Sequence, residues 1–420
     1  MTKILVTGTT TYSDNRGVSA MAACTVKILR KHIPNAEIVI WHSEACKRSS
    51  PTTYERDVRL VKERSAYGYF LRQPLRLSLC ALWGGLRKWG DAKLLMGEKV
   101  LREYRDADLI VSLNYGDAFT DNYGKLEALS ILSQNWLNGL SNKPVVFFPQ
   151  SIGTFDTELT RTLARAVLNR SKAIMAREKI TEKYLKEIGV NGRLIHLVPD
   201  TAFVLEPSDD RRTEEILSNE GLQIYLKNKT EPIVGISVNP GIALFSRVPE
   251  KRELYVSTMV KLVDYLTEKI GATVVFVPNV TVVDGPDTRT LGNTIRDRAK
   301  HKDKVISING DYAAEELKGV IKQCDLFIGS LTHTMIAAAS LNSPTIAISY
   351  SHKTPGVMEL VGLGDYVIDF KELSFDALVS KIEKAWPNRE NIREILTPRI
   401  ETIKKKVLSS GELVKNVLFS

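Results

Sequence analysis

The chain has 420 residues, 43% of them hydrophobic, and 58 Lys and Arg against 49 Asp and Glu, for a formal charge of +9. That much apolar material over that length supports two ordinary domains with separate cores, and excludes a disordered or fibrous chain. The positive balance calls for acidic partners such as phosphates, anionic sugars or an anionic membrane surface; nucleic acid is disfavoured, because the cations are spread along the whole chain and no aromatic RNA-binding motif accompanies them.

The opening "MTKILVTG" runs directly into a strand pattern, with no basic region, long apolar core and small-residue cleavage site, so no signal peptide is evident. Cys24, Cys46, Cys80 and Cys324 stand singly, which suits a reducing compartment. The expected location is the cytoplasm, either free or at the inner face of the membrane.

Short β-branched runs then alternate with helix-length segments. Strands are expected at 4–7, 37–41, 109–113, 145–148, 173–176 and 194–198, and a second set at 233–238, 273–277, 305–308, 326–328, 345–350 and 366–368. Between the strands expected at 37–41 and 109–113 lies "YFLRQPLRLSLCALWGGLRKWG", residues 69–89 and the following glycine, in which Leu75, Leu79, Leu82 and Leu86 alternate with Arg72, Arg76, Arg87 and Lys88. It is amphipathic, not spanning: either a peripheral membrane helix with its cations toward lipid phosphates, or a helix packed on its own domain.

Strands alternating with helices indicate parallel sheets covered on both faces. The charged stretch "LEPSDDRRTEEILSNEGLQIYLKNKTEP" separates the two sets. The expected fold is therefore α/β, with two doubly wound Rossmann-like domains facing a cleft in the GT-B-like manner and a C-terminal helical tail. The expected bounds are 1–207, 232–374 and 375–420.

In such sheets ligands bind outside the carboxyl ends of the strands, so the residues just after each strand hold the chemistry. His333 falls there, at the start of "THTMIAAAS", where unpaired helix N–H groups attract an anion and an imidazole can move a proton. Ser330 and Thr332 flank it as donor-site candidates. Lys353 follows the next strand and offers a compact cation, with His352 beside it. Arg177 follows the strand at 173–176 and could grip a carboxylate or phosphate, or pair with Glu178 or another acid. Gly17, in "DNRGVSAM", would let a ligand approach the backbone. On the opposite rim, Asn15, Arg16, Asn114, Asp117 and Gln150 are candidates for acceptor contacts. No zinc, dinucleotide or P-loop motif occurs, and no metal or cofactor is required.

In their order and spacing, "DNRGVSAM", "ADLIVSLNYGDAFTDNYG", "VVFFPQSIGTFD", "AIMAREKITEKYLKEIGV", "LVPDTAFVL" and "IGSLTHTMIAAASLNSPTIAISYSHKTPG" resemble the polysaccharide pyruvyl transferase family. The resemblance implies a GT-B-like fold and transfer of a pyruvyl group from phosphoenolpyruvate, as a ketal, onto hydroxyls of a sugar or lipid-linked oligosaccharide during cell-surface glycan synthesis. It puts the family's helix-start histidine on His333, its following lysine on Lys353 and the arginine of its R-E motif on Arg177. Many members carry an arginine two positions before the histidine, where this chain has Leu331. Two other functions share the architecture: a glycosyltransferase using a nucleotide-sugar donor, and a non-catalytic glycan-binding relative.

Overall fold

The computed structural model describes residues 1–11, 13–42, 58–62, 66–86, 93–222, 231–240, 249–281, 287–350 and 353–420. The chain divides into two compact units, one comprising 1–13, 21–201 and 405–420, the other 14–20 and 202–404.

The first unit is built on a seven-stranded sheet of β1 (Lys3–Thr7), β2 (Glu37–His42), β3 (Arg59–Lys62), β4 (Leu109–Ser112), β5 (Val145–Gln150), β6 (Ala173–Ala176) and β7 (Ile195–Leu197), ordered β3-β2-β1-β4-β5-β6-β7. Every pairing is parallel. Its helices are α1 (Arg16–His32), whose first turn falls in the second unit, α2 (Ala66–Leu86), α3 (Lys99–Asp106), α4 (Lys125–Leu140), α5 (Glu158–Leu168) and α6 (Lys179–Glu187). β1, β4, β5 and β6 are apolar and buried almost throughout, as strands covered on both faces must be. Trp41, Tyr104, Phe119 and Phe147 anchor the core on one of those faces.

The second unit carries a six-stranded parallel sheet of β8 (Ile233–Ser237), β9 (Thr273–Phe276), β10 (Val305–Ser307), β11 (Leu326–Gly329), β12 (Thr345–Ser349) and β13 (Val367–Asp369), ordered β10-β9-β8-β11-β12-β13. Its helices are α7 (Asp210–Asn219), α8 (Pro249–Tyr265), α9 (Thr288–Arg298), α10 (Ala314–Ile321), α11 (Thr332–Ala339), α12 (Lys353–Val361), α13 (Phe375–Ala385) and the first half of α14 (Arg389–Phe419), whose second half belongs to the first unit.

All the expected strands are present. β3 was not expected: "RLVK" is four residues in a charged stretch, at a sheet edge where only one side needs a partner. The strand order reverses between β1 and β4 in one sheet and between β8 and β11 in the other. Those switch points are where an open parallel sheet offers its loops to a ligand.

Candidate functional site

At the switch point of the second sheet, β11 passes through Ser330 and Leu331 into α11, and the neighbouring β12 leads into α12. Both helices therefore start at one sheet edge. Their first turns are joined by the hydroxyls of Thr332 and Thr354, 3.2 Å apart. Ser330 is wholly buried and is spent on geometry: its N–H donates to the Ser237 carbonyl at 2.9 Å, and its hydroxyl lies 3.1 Å from that of Tyr255. Lys353 opens α12 and is buried, so its side chain does not extend into solvent. Leu331, at the helix-cap position, is extended and makes no side-chain cap, leaving the first N–H groups of α11 without one from that residue. His352 lies outside the described residues.

His333 is half-buried on the first turn of α11, and its ring lies against the first turn of α1. A Cβ placed on Gly17 would fall 2.1 Å from Cδ2 and 2.3 Å from Cγ of that imidazole. The expected reason for Gly17, access for a ligand, is thus corrected: what comes up to the backbone there is His333.

Asn15 and Arg16 also need correcting, since they were expected on the opposite rim and belong to the second unit. The Arg16 N–H donates to the Asn279 carbonyl at 2.9 Å, and Asn15 bridges to Val280 as an isolated antiparallel pair. The Arg16 guanidinium is buried; Nε donates to the Tyr312 carbonyl at 2.7 Å, Nη2 to the Thr281 hydroxyl at 2.6 Å, and Asp311 forms an ion pair with it. Asn15 Oδ1 accepts from the Gly17 N–H at 3.0 Å and from Asn279 Nδ2 at 3.3 Å. A small cavity of about 30 Å³ remains beside these residues; Arg16, Asn279 and His333 border it together with apolar side chains such as Leu205, Leu317 and Ile321. It has room for about one water next to the imidazole.

The first sheet's switch point is constructed differently. Asn114 and Gln150 are wholly buried and bonded to each other, with Asn114 Nδ2 donating to Gln150 Oε1 at 2.8 Å. Asn135 Nδ2 donates to Asn114 Oδ1 at 3.0 Å, and Gln150 Nε2 donates to the carbonyls of Ser112 at 2.7 Å and Phe148 at 3.0 Å. This network holds Asn114 and Tyr115 in left-handed backbone, φ 45° and 53°, which a tyrosine adopts only under constraint. Gly8 makes room: a Cβ there would lie 2.7 Å from the Asn114 nitrogen. The two amide side chains, expected to contact an acceptor, thus shape the loop. Asp117 is half-buried and accepts from the Tyr123 hydroxyl at 2.9 Å.

Arg177 is buried, with Nη1 2.6 Å from Asp200 Oδ2, Nε donating to the Ser151 hydroxyl at 2.8 Å, and Glu178 at 3.3 Å. Burial works against its charge, but Asp200, Glu178 and Asp117 outweigh burial and raise its pKa above the ordinary arginine value. The guanidinium therefore sits among carboxylates, the second of the two arrangements its sequence position allowed.

Sequence reasoning missed Tyr255, whose distance from Ser330 leaves no local signal. It also missed the buried hydroxyls of Thr9, Thr11 and Ser237, which have no hydrogen-bond partner among the described residues and lie just after β1 or at the end of β8. Among the described residues, no group of three or more His, Cys, Asp and Glu is placed to hold a metal ion, and no helix is long and apolar enough to cross a membrane.

Two parallel doubly wound sheets with a C-terminal helix define a GT-B-like fold, and the chain shares it with solved structures over its whole length. HepE of Anabaena, determined with UDP, superimposes with a TM-score of 0.58 at 12% identity, covering 100% of this chain and 99% of that one. The UDP-GlcNAc 2-epimerase of Neisseria meningitidis, bound to UDP-GlcNAc, gives 0.57 at 11% identity and covers 100% of both. These likenesses bear on the fold alone. The polysaccharide pyruvyl transferase family profile matches residues 15–352, and the chain belongs to that family. Among curated proteins, the amylovoran biosynthesis protein AmsJ of Erwinia amylovora is 23% identical over 411 residues, 95% of each chain.

Proposed function

We propose that this protein transfers a pyruvyl group from phosphoenolpyruvate onto two hydroxyls of a sugar, as a ketal, in the synthesis of a cell-surface polysaccharide. Family membership supports the reaction, and the relative named for amylovoran biosynthesis supports the polysaccharide setting. The observation that carries the reading is His333, an imidazole on the first turn of α11 beside the N-terminal turn of α1, at the same sheet edge as Lys353. The donor is a trianion when fully ionised, and helix N-termini with an adjacent ammonium group suit its phosphate and carboxylate. It is made and used inside cells, so the proposed site of action is the cytoplasm.

The chemistry needs one proton delivered to the methylene carbon of the donor, which makes the adjacent carbon electrophilic. A first sugar hydroxyl adds there and gives up its proton. The second adds as the C–O bond to phosphate breaks, and its proton leaves with the phosphate. His333 moves a proton or donates to the leaving phosphate, and Lys353 stabilises the charge that departs. Ser330 and Thr332 position these two groups through the bonds described above. Arg177 acts as a positioning residue, its carboxylate partners fixing the turn after β6. The acceptor is a sugar, free or lipid-linked.

Incubating the full chain with phosphoenolpyruvate and a panel of polyprenyl-linked and nitrophenyl-linked sugars tests this. One phosphate should be released per pyruvylidene group gained by the acceptor, as read by mass spectrometry. Consumption of a nucleotide sugar while phosphoenolpyruvate stays inert would overturn the reading in favour of glycosyl transfer.

A further inference from the structure

Two helices of the first unit carry leucines on their exposed side as well as on the side facing the core. α2 buries Gln73 and Arg76 alongside Cys80 and Trp83, with Arg76 Nη2 2.7 Å from Glu98 Oε1, while Leu75, Leu82 and Leu86 are 59%, 53% and 47% exposed. α4, packed against it, buries Ile131, Leu132 and Leu137 together with Gln134, Asn135 and Asn138, while Leu126 and Leu129 in its first turns are 74% and 52% exposed. The inward amides of α4 are used by the loop network: Asn135 reaches Asn114, and Asn138 takes the Tyr104 hydroxyl at 2.7 Å and donates to that of Thr7 at 3.2 Å. A helix in water gains by pointing leucines inward, so two adjacent helices with leucines outward mark a surface made for an apolar neighbour.

The surroundings of that face indicate the neighbour. α2 contains two arginines and no acidic residue, and Arg72 is exposed. A cleft beside its C-terminal half is lined by Ala81 and Gly84 of α2, by Asn142, and by the cations Lys143 and Arg170. Arg170 is exposed and rests over the Trp136 ring, 5.1 Å from its centroid, at the C-terminal end of α4. Exposed leucines on a helix that also exposes Arg72, with further cations in the cleft beside its C-terminal half, complement the acyl boundary and the phosphates of an anionic leaflet respectively.

We propose that the α2 and α4 leucine face docks on an anionic lipid bilayer, with Lys143 and Arg170 taking lipid phosphates at its edge. The sequence left α2 either interfacial or packed on its own domain; the structure has it packed through Arg76, Leu79 and Trp83 with Leu75, Leu82 and Leu86 turned outward. The inference does not depend on the reaction proposed above. The test is co-sedimentation of the full chain with vesicles of phosphatidylglycerol and phosphatidylcholine, compared with phosphatidylcholine alone, at low and high salt. Binding should require the anionic lipid and weaken with salt. Leu75→Gln, Leu82→Gln and Leu86→Gln combined should abolish it while circular dichroism and the thermal midpoint stay as in the wild type, because these side chains contribute little packing. Lys143→Gln with Arg170→Gln should weaken binding at low salt by roughly tenfold or more and flatten the salt dependence. Undiminished sedimentation of the triple-leucine variant would overturn the proposal. So would a failure to bind vesicles with light scattering showing a leucine-dependent dimer, which would assign the face to a second copy of the chain.

Discussion

The two switch points use polar residues in opposite ways. After β4, β5 and β6, the side chains that look ready for a ligand are consumed internally: Asn114 by Gln150, Gln150 by backbone carbonyls, Arg177 by Asp200 and Ser151. After β11 and β12 the supporting bonds are made by small hydroxyls, Ser330 to Tyr255 and Thr332 to Thr354, while His333 borders a cavity. A polar residue after a strand is therefore not evidence of ligand contact by itself. The distinction lies in whether a buried partner of matching chemistry is close enough to claim it, and that depends on residues distant in sequence.

The sharpest way to break this contrast is a pair of substitutions. Arg177→Ala should destabilise by about 3–5 kcal/mol, because it leaves Asp200 and Glu178 buried beside each other without the cation that compensates them. His333→Ala should stay within about 1 kcal/mol of the wild type in chemical unfolding, since its side chain is half-buried. Its turnover should fall by roughly 10²–10⁴ if it moves a proton. Equal losses of stability in the two variants would erase the distinction between the rims.

Much of this was legible in the sequence. Strands such as "ILVT", "LIVS" and "LFIG" are continuous apolar runs bounded by glycine or polar residues, and parallel sheets follow from their spacing. That His333 and Lys353 follow neighbouring strands could also be read, because consecutive βαβ units tend to pair side by side, as β11 and β12 do. The fates of Asn114, Gln150 and Arg177 could not, because their partners lie 21 to 38 positions away and a hydrogen bond across a sheet has no periodicity. Asn15 and Arg16 were misplaced for a related reason. The chain leaves β1 and pairs with the loop after β9, more than 260 residues on, and proximity in sequence to β1 gives no hint of that.

A smaller effect sharpens the reading of the first rim. Gln150→Leu keeps the volume and removes three bonds, leaving the Asn114 amide and the carbonyls of Ser112 and Phe148 short of a partner in a dry interior. The expected cost is about 1–3 kcal/mol, read from the midpoint of urea unfolding. Any loss of activity should be recovered under stabilising conditions, such as added sucrose, because the amide acts by holding the loop. A variant with wild-type stability and abolished acceptor binding would return Gln150 to the acceptor site.

Gly17 tests the second rim with the smallest change available, one methyl group. Alanine in a helix is ordinarily about 1 kcal/mol better than glycine. Here the added Cβ would press on the His333 ring at 2.1 and 2.3 Å and on its Cβ at 2.8 Å, and overpacking of that kind typically costs about 1–3 kcal/mol. The opposing terms leave a net loss of about 1 kcal/mol for Gly17→Ala, with the imidazole displaced and turnover reduced far more than stability. In a His333→Ala background the two shortest contacts vanish and only the one to Cβ remains, so the same methyl should cost less there. A double-mutant cycle on unfolding free energy should give a coupling of roughly 0.5–1 kcal/mol between the two positions, as expected for residues in direct contact. Strict additivity would mean that the ring does not rest on the helix turn, and the geometric argument for His333 would lose its support.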